Sequence, residues 1–412
     1  MIRRTGQLYS ELLRLGPLSN QELSNHFQLS PASITQILRP LLNDGVLEER
    51  TPQDYPEDIL AQETKEGKRR RRKITFYPKH SLGYLLSGEF IGSRLIFRKS
   101  DFSLNLEEGF FMEISLDTRA DFLDQISRTI RDIQRKDPRR LLALGFTVSG
   151  RVDLDTHRLI FSNNQPFLLD IDIAGELRNR LSLPTVVVND SHAISTAERF
   201  CGQARYLDHF LSLFIEEGVG LGIFVNGTAY QGFQNLAGEP GNLIMVPQGK
   251  QKSGSPRGSV EAYISREALF SELQTLRPDS TAKPAGSTPS TGDLPWTQEY
   301  AYELLTHLVA QKLPAAQSIL EGMADKTALL CANLLTLLAP EALFITGPLG
   351  EMGPAFHTMV TQSLKPYTVP GLYDFYRKRI RFSSAYKQNM ALGTAKIAAD
   401  HALLHYDQEA ES

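Results

Sequence analysis

The sequence predicts an α/β protein that carries a winged helix-turn-helix at its N-terminus. Two observations predict it. Within the first 45 residues, three short amphipathic patterns are each bounded by capping residues, and a strand, a basic loop and a second strand follow. From about Leu82 onward, apolar strand-like runs alternate with amphipathic helical ones, the pattern of an α/β domain. At 412 residues the chain exceeds one ordinary core and suits a small domain joined to a larger one.

Between Ile2 and Leu15, the residues Leu8, Leu12, Leu13 and Leu15 fall at mostly helical spacing, and Gly16-Pro17 stops that helix. Ser19 with Glu22 three residues later makes a capping box for a second helix, which turns Leu23 and Phe27 inward. After a turn at Gln28-Leu29, Ser30 caps and Pro31 opens a third helix. Its buried stripe is Ile34, Ile37, Leu38, Leu41 and Leu42, and it ends at Gly45. In a helix-turn-helix the N-terminal part of that helix enters the major groove, so its exposed face must carry hydrogen-bonding groups. Ser33, Thr35, Gln36 and Arg39 supply them. Gln reads adenine bidentately, Arg reads guanine or clamps phosphate, and Ser33 with the helix N-terminus suits phosphate. A helical bundle with a solvated polar face is the alternative reading.

Val46 to Arg50 reads as a strand, and Ile74 to Tyr77 as its successor. Between them lies Gly67-Lys68-Arg69-Arg70-Arg71-Arg72-Lys73. In a wing, Arg69, Arg70, Arg71 and Arg72 neutralise phosphates or enter the minor groove, although a charge run by itself is usually just solvated. The net charge of -3 argues against wholesale coating of nucleic acid, but it is unevenly placed. Residues 1–80 hold 13 Lys+Arg against 10 Asp+Glu, and the remainder 31 against 37, an asymmetry that permits a DNA-binding head.

Hydrophobic residues at 41% and charged residues at 22% are ordinary for a globular chain and exclude disordered or fibrous classes. No apolar run is long enough to span a bilayer, and Met1-Ile2-Arg3-Arg4 opens a polar amphipathic pattern rather than a signal core. A cytoplasmic protein without membrane insertion is expected. Cys201 and Cys331 lie far apart without C-x-x-C spacing, so buried free thiols are expected rather than a disulfide or a cysteine zinc site.

In the body, strands are expected at Leu141–Val148, Thr185–Val188, Phe210–Ile215, Ile223–Val225 and Ala342–Thr346. Helices are expected at Ala120–Lys136, Ser191–Phe200, Glu299–Glu321 and Lys326–Ala339, with a loop from Arg277 to Pro295. No short internal repeat is found. Glycine and carboxylate clusters punctuate this pattern: Gly145-Phe146-Thr147-Val148-Ser149-Gly150, Asn189-Asp190, Gly218-Val219-Gly220-Leu221-Gly222, Gly238-Glu239-Pro240-Gly241-Asn242, Glu261 and Gly347-Pro348-Leu349. In this order and spacing the chain resembles, over essentially its whole length, the ROK family, named for its repressors, open reading frames and kinases.

The resemblance implies a two-lobed actin-like fold behind the head. Residues 1–80 are then the winged helix-turn-helix and 81–200 the N-terminal lobe with an interlobe segment. Residues 201–412 are the C-terminal lobe, with an oligomerisation surface and a return helix. It also implies a sugar in the interlobe cleft, and in the kinases an aspartate after asparagine that deprotonates the sugar hydroxyl; Asn189-Asp190 match that pair. A carboxylate at a strand end accepts hydrogen bonds from sugar hydroxyls and, with a phosphate donor, acts as general base. A helix N-cap at Asp190 is the alternative role, and both can hold together.

The family's A-G-E-x-G-H segment corresponds to Ala237 to Asn242 and its later glutamate to Glu261, so the resemblance adds Glu239, Asn242 and Glu261 to the sugar-binding set. Asn242 stands where histidine is usual; it hydrogen-bonds a hydroxyl but is a poor zinc ligand. Where the family carries a zinc-holding cysteine cluster, Lys250 to Ser259 has no cysteine. No zinc is expected, and no replacement staple is evident from the sequence. Asn163, or Asn164 in another register, matches the family's sugar-binding asparagine, with a surface Asx-turn as the alternative. Val148-Ser149-Gly150 lacks the proline of the family's T-P-G.

ATP chemistry in this fold class needs two loops whose backbone approaches phosphate closely. Gly218 to Gly222 has the glycines, although G-x-G-x-G equally suits close packing of a strand turn. The other loop falls at Gly88-Glu89-Phe90-Ile91-Gly92-Ser93, with Glu89 in place of aspartate and Ile91 in place of the first glycine, so ATP is not expected as a cofactor. The expected function is a non-catalytic, sugar-responsive transcriptional regulator, a repressor by the family's usual logic, with Asp190 a vestigial base. Its expected partners are operator DNA, a sugar or sugar-phosphate effector, and further copies of itself as a homodimer or homotetramer. Two rivals stand beside it: an active ATP-dependent sugar kinase with a vestigial head, and a regulator controlled by a protein partner.

Overall fold

The computed structural model of the chain describes residues 4–51, 74–79, 82–91, 93–116, 122–153, 156–162, 165–169, 171–277 and 294–409. The basic run Arg69, Arg70, Arg71 and Arg72 and the candidates Asn163 and Asn164 lie outside the described residues.

Capping chemistry sets the N-terminal unit, which comprises α1 (Arg4–Leu15), β1 (Leu18–Ser19), α2 (Asn20–Phe27), α3 (Pro31–Asn43), β2 (Leu47–Arg50) and β3 (Thr75–Pro78). Ser19 caps α2 in a reciprocal box, its backbone N–H donating to Glu22 Oε2 at 2.8 Å, and Gln28 ends the helix at φ 53°. Ser30 caps α3, with Pro31 in its first turn. Leu8, Leu12, Leu23, Ile34, Leu38 and Leu41 are buried together between the three helices. The short β1, which sequence reasoning leaves unassigned, pairs with β3 and completes a sheet of order β1-β3-β2. Two residues are too few to show an alternation. Pro40 lies inside α3, and lacking an N–H it leaves the Gln36 carbonyl without its helical donor.

The first lobe comprises β4 (Tyr84–Ile91), β5 (Arg94–Asp101), β6 (Met112–Ser115), α4 (Phe122–Lys136), β7 (Leu141–Val148), the small pair β8 (Arg151–Val152) and β9 (Leu159–Phe161), α5 (Ile173–Leu181), β10 (Thr185–Asn189) and α6 (Asp190–Phe200). Its main sheet has the order β10-β7-β4-β5-β6. The second lobe runs through β11 (Phe210–Ile215), β12 (Val219–Val225), β13 (Thr228–Ala229), α7 (Glu261–Ile264), α8 (Arg266–Gln274), α9 (Ala301–Ala310), α10 (Pro314–Leu338), β14 (Ala342–Thr346), α11 (Pro354–Ser363), α12 (Tyr373–Arg377) and β15 (Ile380–Phe382). Its sheet has the order β13-β12-β11-β14-β15. Both sheets follow one scheme: an antiparallel meander of three strands, with two parallel strands added beside the first. The repeat is one of topology, which needs no repeated sequence.

The last helix, α13 (Tyr386–Glu409), leaves the second lobe and packs on α6, β4 and β7 of the first, and on α1 of the N-terminal unit. Glycine makes that approach possible: a Cβ on Gly145 of β7 would fall 2.6 Å from Thr394 Cγ2, and one on Gly393 would fall 1.7 Å from the Ala193 carbonyl oxygen.

The helices expected at Glu299–Glu321 and Lys326–Ala339 are divided elsewhere. The chain breaks after α9, where Lys312 takes φ 60° and Pro314 has no N–H with which to continue the helix. It then runs unbroken as α10 through Gly322, because one interior glycine costs only about 1 kcal/mol against alanine. Cys331 is buried in α10 as expected, but Cys201 is exposed, since it is the capping residue just beyond the end of α6. Among the described residues, no helix is long and apolar enough to cross a membrane.

Candidate functional site

At the strand-to-helix turn between β10 and α6, Asn189 is the N-cap. Its Oδ1 accepts from the backbone N–H groups of Ser191 at 2.9 Å and His192 at 3.3 Å and from Ser191 Oγ at 2.6 Å, while its Nδ2 donates to the Gly150 carbonyl at 2.7 Å. The cap therefore falls on Asn189 rather than on Asp190. The Asn189 side chain fixes the turn and keeps one amide hydrogen for a ligand. Asp190, relieved of capping, accepts from Ser191 N–H at 2.7 Å and faces the cleft between the lobes.

That cleft holds a cavity of 390 Å³ that brings together Asn189, Asp190, Glu239, Asn242 and Glu261, residues spread over more than 70 positions of sequence. Glu239 follows Gly238, whose φ of +87° and whose Cβ position 2.2 Å from the Leu221 carbonyl oxygen admit only glycine. Glu261 opens α7 and is cradled by two more glycines. A Cβ on Gly241 would lie 2.7 Å from its Cγ, and one on Gly218 would lie 2.9 Å from its Oε1. Val219 N–H donates to Oε1 at 3.2 Å. Gly220 and Gly222 in turn let β12 press on α6, where added Cβ atoms would fall 2.7 and 2.1 Å from those of Ser191 and Ser195. Close packing thus accounts for the glycines of Gly218 to Gly222. Asn242 ends a short turn at the exposed rim, its N–H donating to the Glu239 carbonyl at 3.2 Å.

Two cations in this cavity escape sequence reasoning. Arg151 Nε lies 3.6 Å from Glu239 Oε1, and Lys252 Nζ lies 3.0 Å from Glu261 Oε2. The signal that pointed toward them was weak, since a basic residue after Ser149-Gly150 and another in a loop of mixed polarity suit any surface. Burial, helped by the Glu216 and Glu239 charges and opposed by the Ser191 N–H and Ser149 hydrogen bonds, pushes the Asp190 carboxyl up to about 7. Burial likewise holds Glu239 above the ordinary carboxylate range.

A larger cavity of 1220 Å³ adjoins the first at Ser149 and Asp190. Glu89 and Ile91 at the end of β4 line it, together with Glu216, Glu217, Glu299, Glu303 and Glu351 against Arg94, Arg266 and Lys387. Glu89 is pushed up to about 7 by burial and by Glu216 beside it. Carboxylates thus outnumber the cations on the lining of this cavity.

On the N-terminal unit, Thr35, Gln36 and Arg39 are exposed on one side of α3, and Ser33 is half-buried. Ser33 Oγ lies 2.9 Å from Ser30 Oγ, and Thr35 Oγ1 donates to the Pro31 carbonyl at 2.9 Å while accepting from Asn20 Nδ2 at 2.8 Å. Both hydroxyls are thus locally engaged. Asn20, unnoticed in the sequence, joins α2 to α3 through that bond.

A family model described as ROK family matches residues 99–401. The xylose repressor of Bacillus subtilis (strain 168) is 22% identical over 400 residues, covering 96% of this chain and 94% of its own. Among solved structures, a ROK family transcriptional regulator described as a homologue of the E. coli MLC protein superimposes with a TM-score of 0.75 at 20% identity, over 98% of both chains. A ROK family glucokinase from Streptomyces griseus, in complex with glucose and AMPPNP, superimposes with a TM-score of 0.64 at 19% identity, over 77% of this chain and 99% of its own.

Proposed function

This chain belongs to the ROK family, and on that premise we propose that it is a sugar-responsive, DNA-binding transcriptional regulator, a repressor of a carbohydrate uptake or metabolism operon. The observation that carries the reading is the convergence of Asp190, Glu239 and Glu261 on one interlobe cavity, where three carboxylates offer the acceptors that sugar hydroxyls require. Residues 1–80 act as a winged helix-turn-helix with α3 as the recognition helix, residues 81–200 as the first lobe, and 201–412 as the second with α13 as its return helix. Gln36 and Arg39 read bases, Ser33 and Thr35 position the backbone, and Arg69 to Arg72 neutralise phosphate. Asn163 completes the sugar set.

The body is non-catalytic on this reading, supported by the carboxylates that crowd the larger cavity where a nucleotide would bring its phosphates. Sugar closes the lobes on α13, which spans from the cleft to α1, and so changes the presentation of paired heads in a homodimer or homotetramer. The shift requires that the sugar bind the two states with different affinity.

Fluorescence anisotropy on the DNA upstream of its own coding region tests the reading, titrated with free and phosphorylated sugars at fixed salt. One sugar is expected to shift affinity, and Glu239→Ala to abolish the shift while leaving sugar-free DNA binding intact. Tight binding that ignores every sugar would turn the reading toward a protein-controlled regulator. Absence of specific DNA binding, with Mg-ATP-dependent sugar phosphorylation, would turn it toward a kinase.

A further inference from the structure

Residues 250–259 wall one side of the sugar cavity without a helix or strand of their own. Their backbone turns back on itself, Gly258 N–H donating to the Lys250 carbonyl at 2.7 Å. Its ends are tied to residues outside the cavity lining, the Gly258 carbonyl accepting from Met245 N–H at 2.8 Å and Lys250 N–H donating to Tyr263 Oη at 2.9 Å. The side chains of Lys252 and Ser255 tie its middle to Glu261. Lys252 points inward with 8% of its side chain exposed, a rare setting for an ammonium. Its Nζ donates to Glu261 Oε2 at 3.0 Å, with Glu267 Oε2 at 3.7 Å. Ser255, also buried, donates from Oγ to the same Glu261 Oε2 at 2.8 Å.

We propose that Lys252 is a positioning residue of the cavity: it pins residues 250–259 to Glu261 through an internal cation, so the wall needs no metal, and it limits what Glu261 offers a ligand. A carboxylate has about four lone-pair positions. Lys252, Ser255 and the Val219 N–H take three of them, leaving Glu261 one acceptor, for a single sugar hydroxyl. The specificity claim rests on the reading of this cavity as a sugar site; the staple itself does not.

Two measurements on the full chain separate the two. In hydrogen exchange without sugar, Lys252→Met is expected to speed exchange across residues 250–259 by about tenfold or more, with Lys252→Arg between it and the parent. A chelator is expected to change none of the three. Unchanged protection in Lys252→Met overturns the staple whatever the ligand is, as does a chelator-dependent loss in the parent chain. In sugar titrations, Lys252→Met is expected to weaken the responding sugar by about tenfold, with partial rescue by Lys252→Arg and unaltered DNA affinity in the absence of sugar. Equal sugar affinity overturns the positioning role. A parent chain that binds no sugar overturns the sugar reading and the specificity claim, and leaves the exchange result to judge the staple. Should Lys252→Met not fold, Ser255→Ala is expected to raise exchange in the same segment to a lesser degree, and no rise overturns the proposal.

Discussion

Lys396 of α13 places its ammonium 2.8 Å from Ser10 Oγ of α1, so the last helix of the chain is hydrogen-bonded to the first. The same Nζ lies 2.6 and 2.5 Å from the two carboxyl oxygens of Asp400 one turn on, and 4.2 Å from the centre of the Phe200 ring. One turn further along α1, Arg14 Nη1 donates to the Arg205 carbonyl at 2.8 Å, and Arg205 Nη2 returns a bond to the Leu13 carbonyl at 2.6 Å. Because Tyr386 and Met390 of α13 also line the larger cavity, one rigid helix connects the cleft to the N-terminal unit.

Lys396 is fully buried, so its removal strands a carboxylate that is itself held above its ordinary range by burial. Lys396→Met is expected to cost about 3–5 kcal/mol, seen as a fall in the denaturant midpoint. Lys396→Met combined with Asp400→Leu exchanges the pair for apolar groups and is expected to recover most of that loss. A single variant as stable as the parent chain would remove this pair from the account of how head and body are joined.

Gln36 and Arg39 are exposed, so neither contributes packing to the N-terminal unit. Gln36→Ala and Arg39→Ala are each expected to weaken specific DNA binding by about 1–3 kcal/mol with no change in melting temperature. Asn20→Ala breaks the bonds to Thr35 Oγ1 and the Pro31 carbonyl and is expected instead to lower stability, by about 1 kcal/mol. Anisotropy and thermal melts on the same samples separate the two classes. Full DNA affinity in both α3 variants would move the reading face elsewhere.

What was legible in the sequence was what is local or continuous. The capping box of Ser19 and Glu22 and the Ser30-Pro31 start are contained within four residues, and the strands Leu141–Val148, Phe210–Ile215 and Ala342–Thr346 are buried enough to read as mostly apolar runs. The two-residue β1 and the break at Lys312 have no periodicity to announce them. Which of Asn189 and Asp190 caps α6 is set by a one-residue difference in where the helix begins, and local pattern fits either. Glu239 and Glu261 were reached only through a family motif, and the motif is silent on Arg151 and Lys252, whose ion pairs exist only once the loops are folded against each other.

The raised carboxyl of Asp190 gives a signed pH dependence. It titrates at about 7 in the folded chain, against about 4 in an unfolded one. Between those values the native state holds the extra proton, so stability falls as pH rises from about 4 to 7, and the loss is complete above 7. Glu89, also at about 7 and coupled to Asp190 and Glu216, adds to the same slope. Asp190→Asn is expected to be more stable than the parent chain at pH 8, by on the order of 2 kcal/mol, with the gap closing toward pH 5. Sugar affinity of the parent chain moves the other way, rising with pH through about 7 as the carboxylate becomes available to accept hydroxyls. A stability gap that is the same at pH 5 and pH 8 would rule out Asp190 as the titrating group.

In the larger cavity both arginines are already committed, which leaves Lys387 as the cation on its lining without a carboxylate within ion-pair distance among the described residues. Arg266 lies 2.7 Å from Glu216 and 3.7 Å from Glu217, and Arg94 lies 2.9 Å from Glu299. A triphosphate entering here meets Glu303 and Glu351 with no unpaired guanidinium among these to receive it, and like charges oppose binding. Calorimetry with Mg-ATP is therefore expected to detect no binding at millimolar nucleotide, with or without sugar. Glu216→Gln with Glu217→Gln removes two of the repelling charges and frees Arg266, so this double variant is expected to gain measurable nucleotide affinity. Its Glu89 is expected to titrate closer to the ordinary carboxylate range, because Glu216 is the charge that adds most to the effect of burial there. If the parent chain instead binds Mg-ATP and phosphorylates a sugar, the arrangement of Arg266 between two glutamates is not a barrier, and the chain is a working kinase.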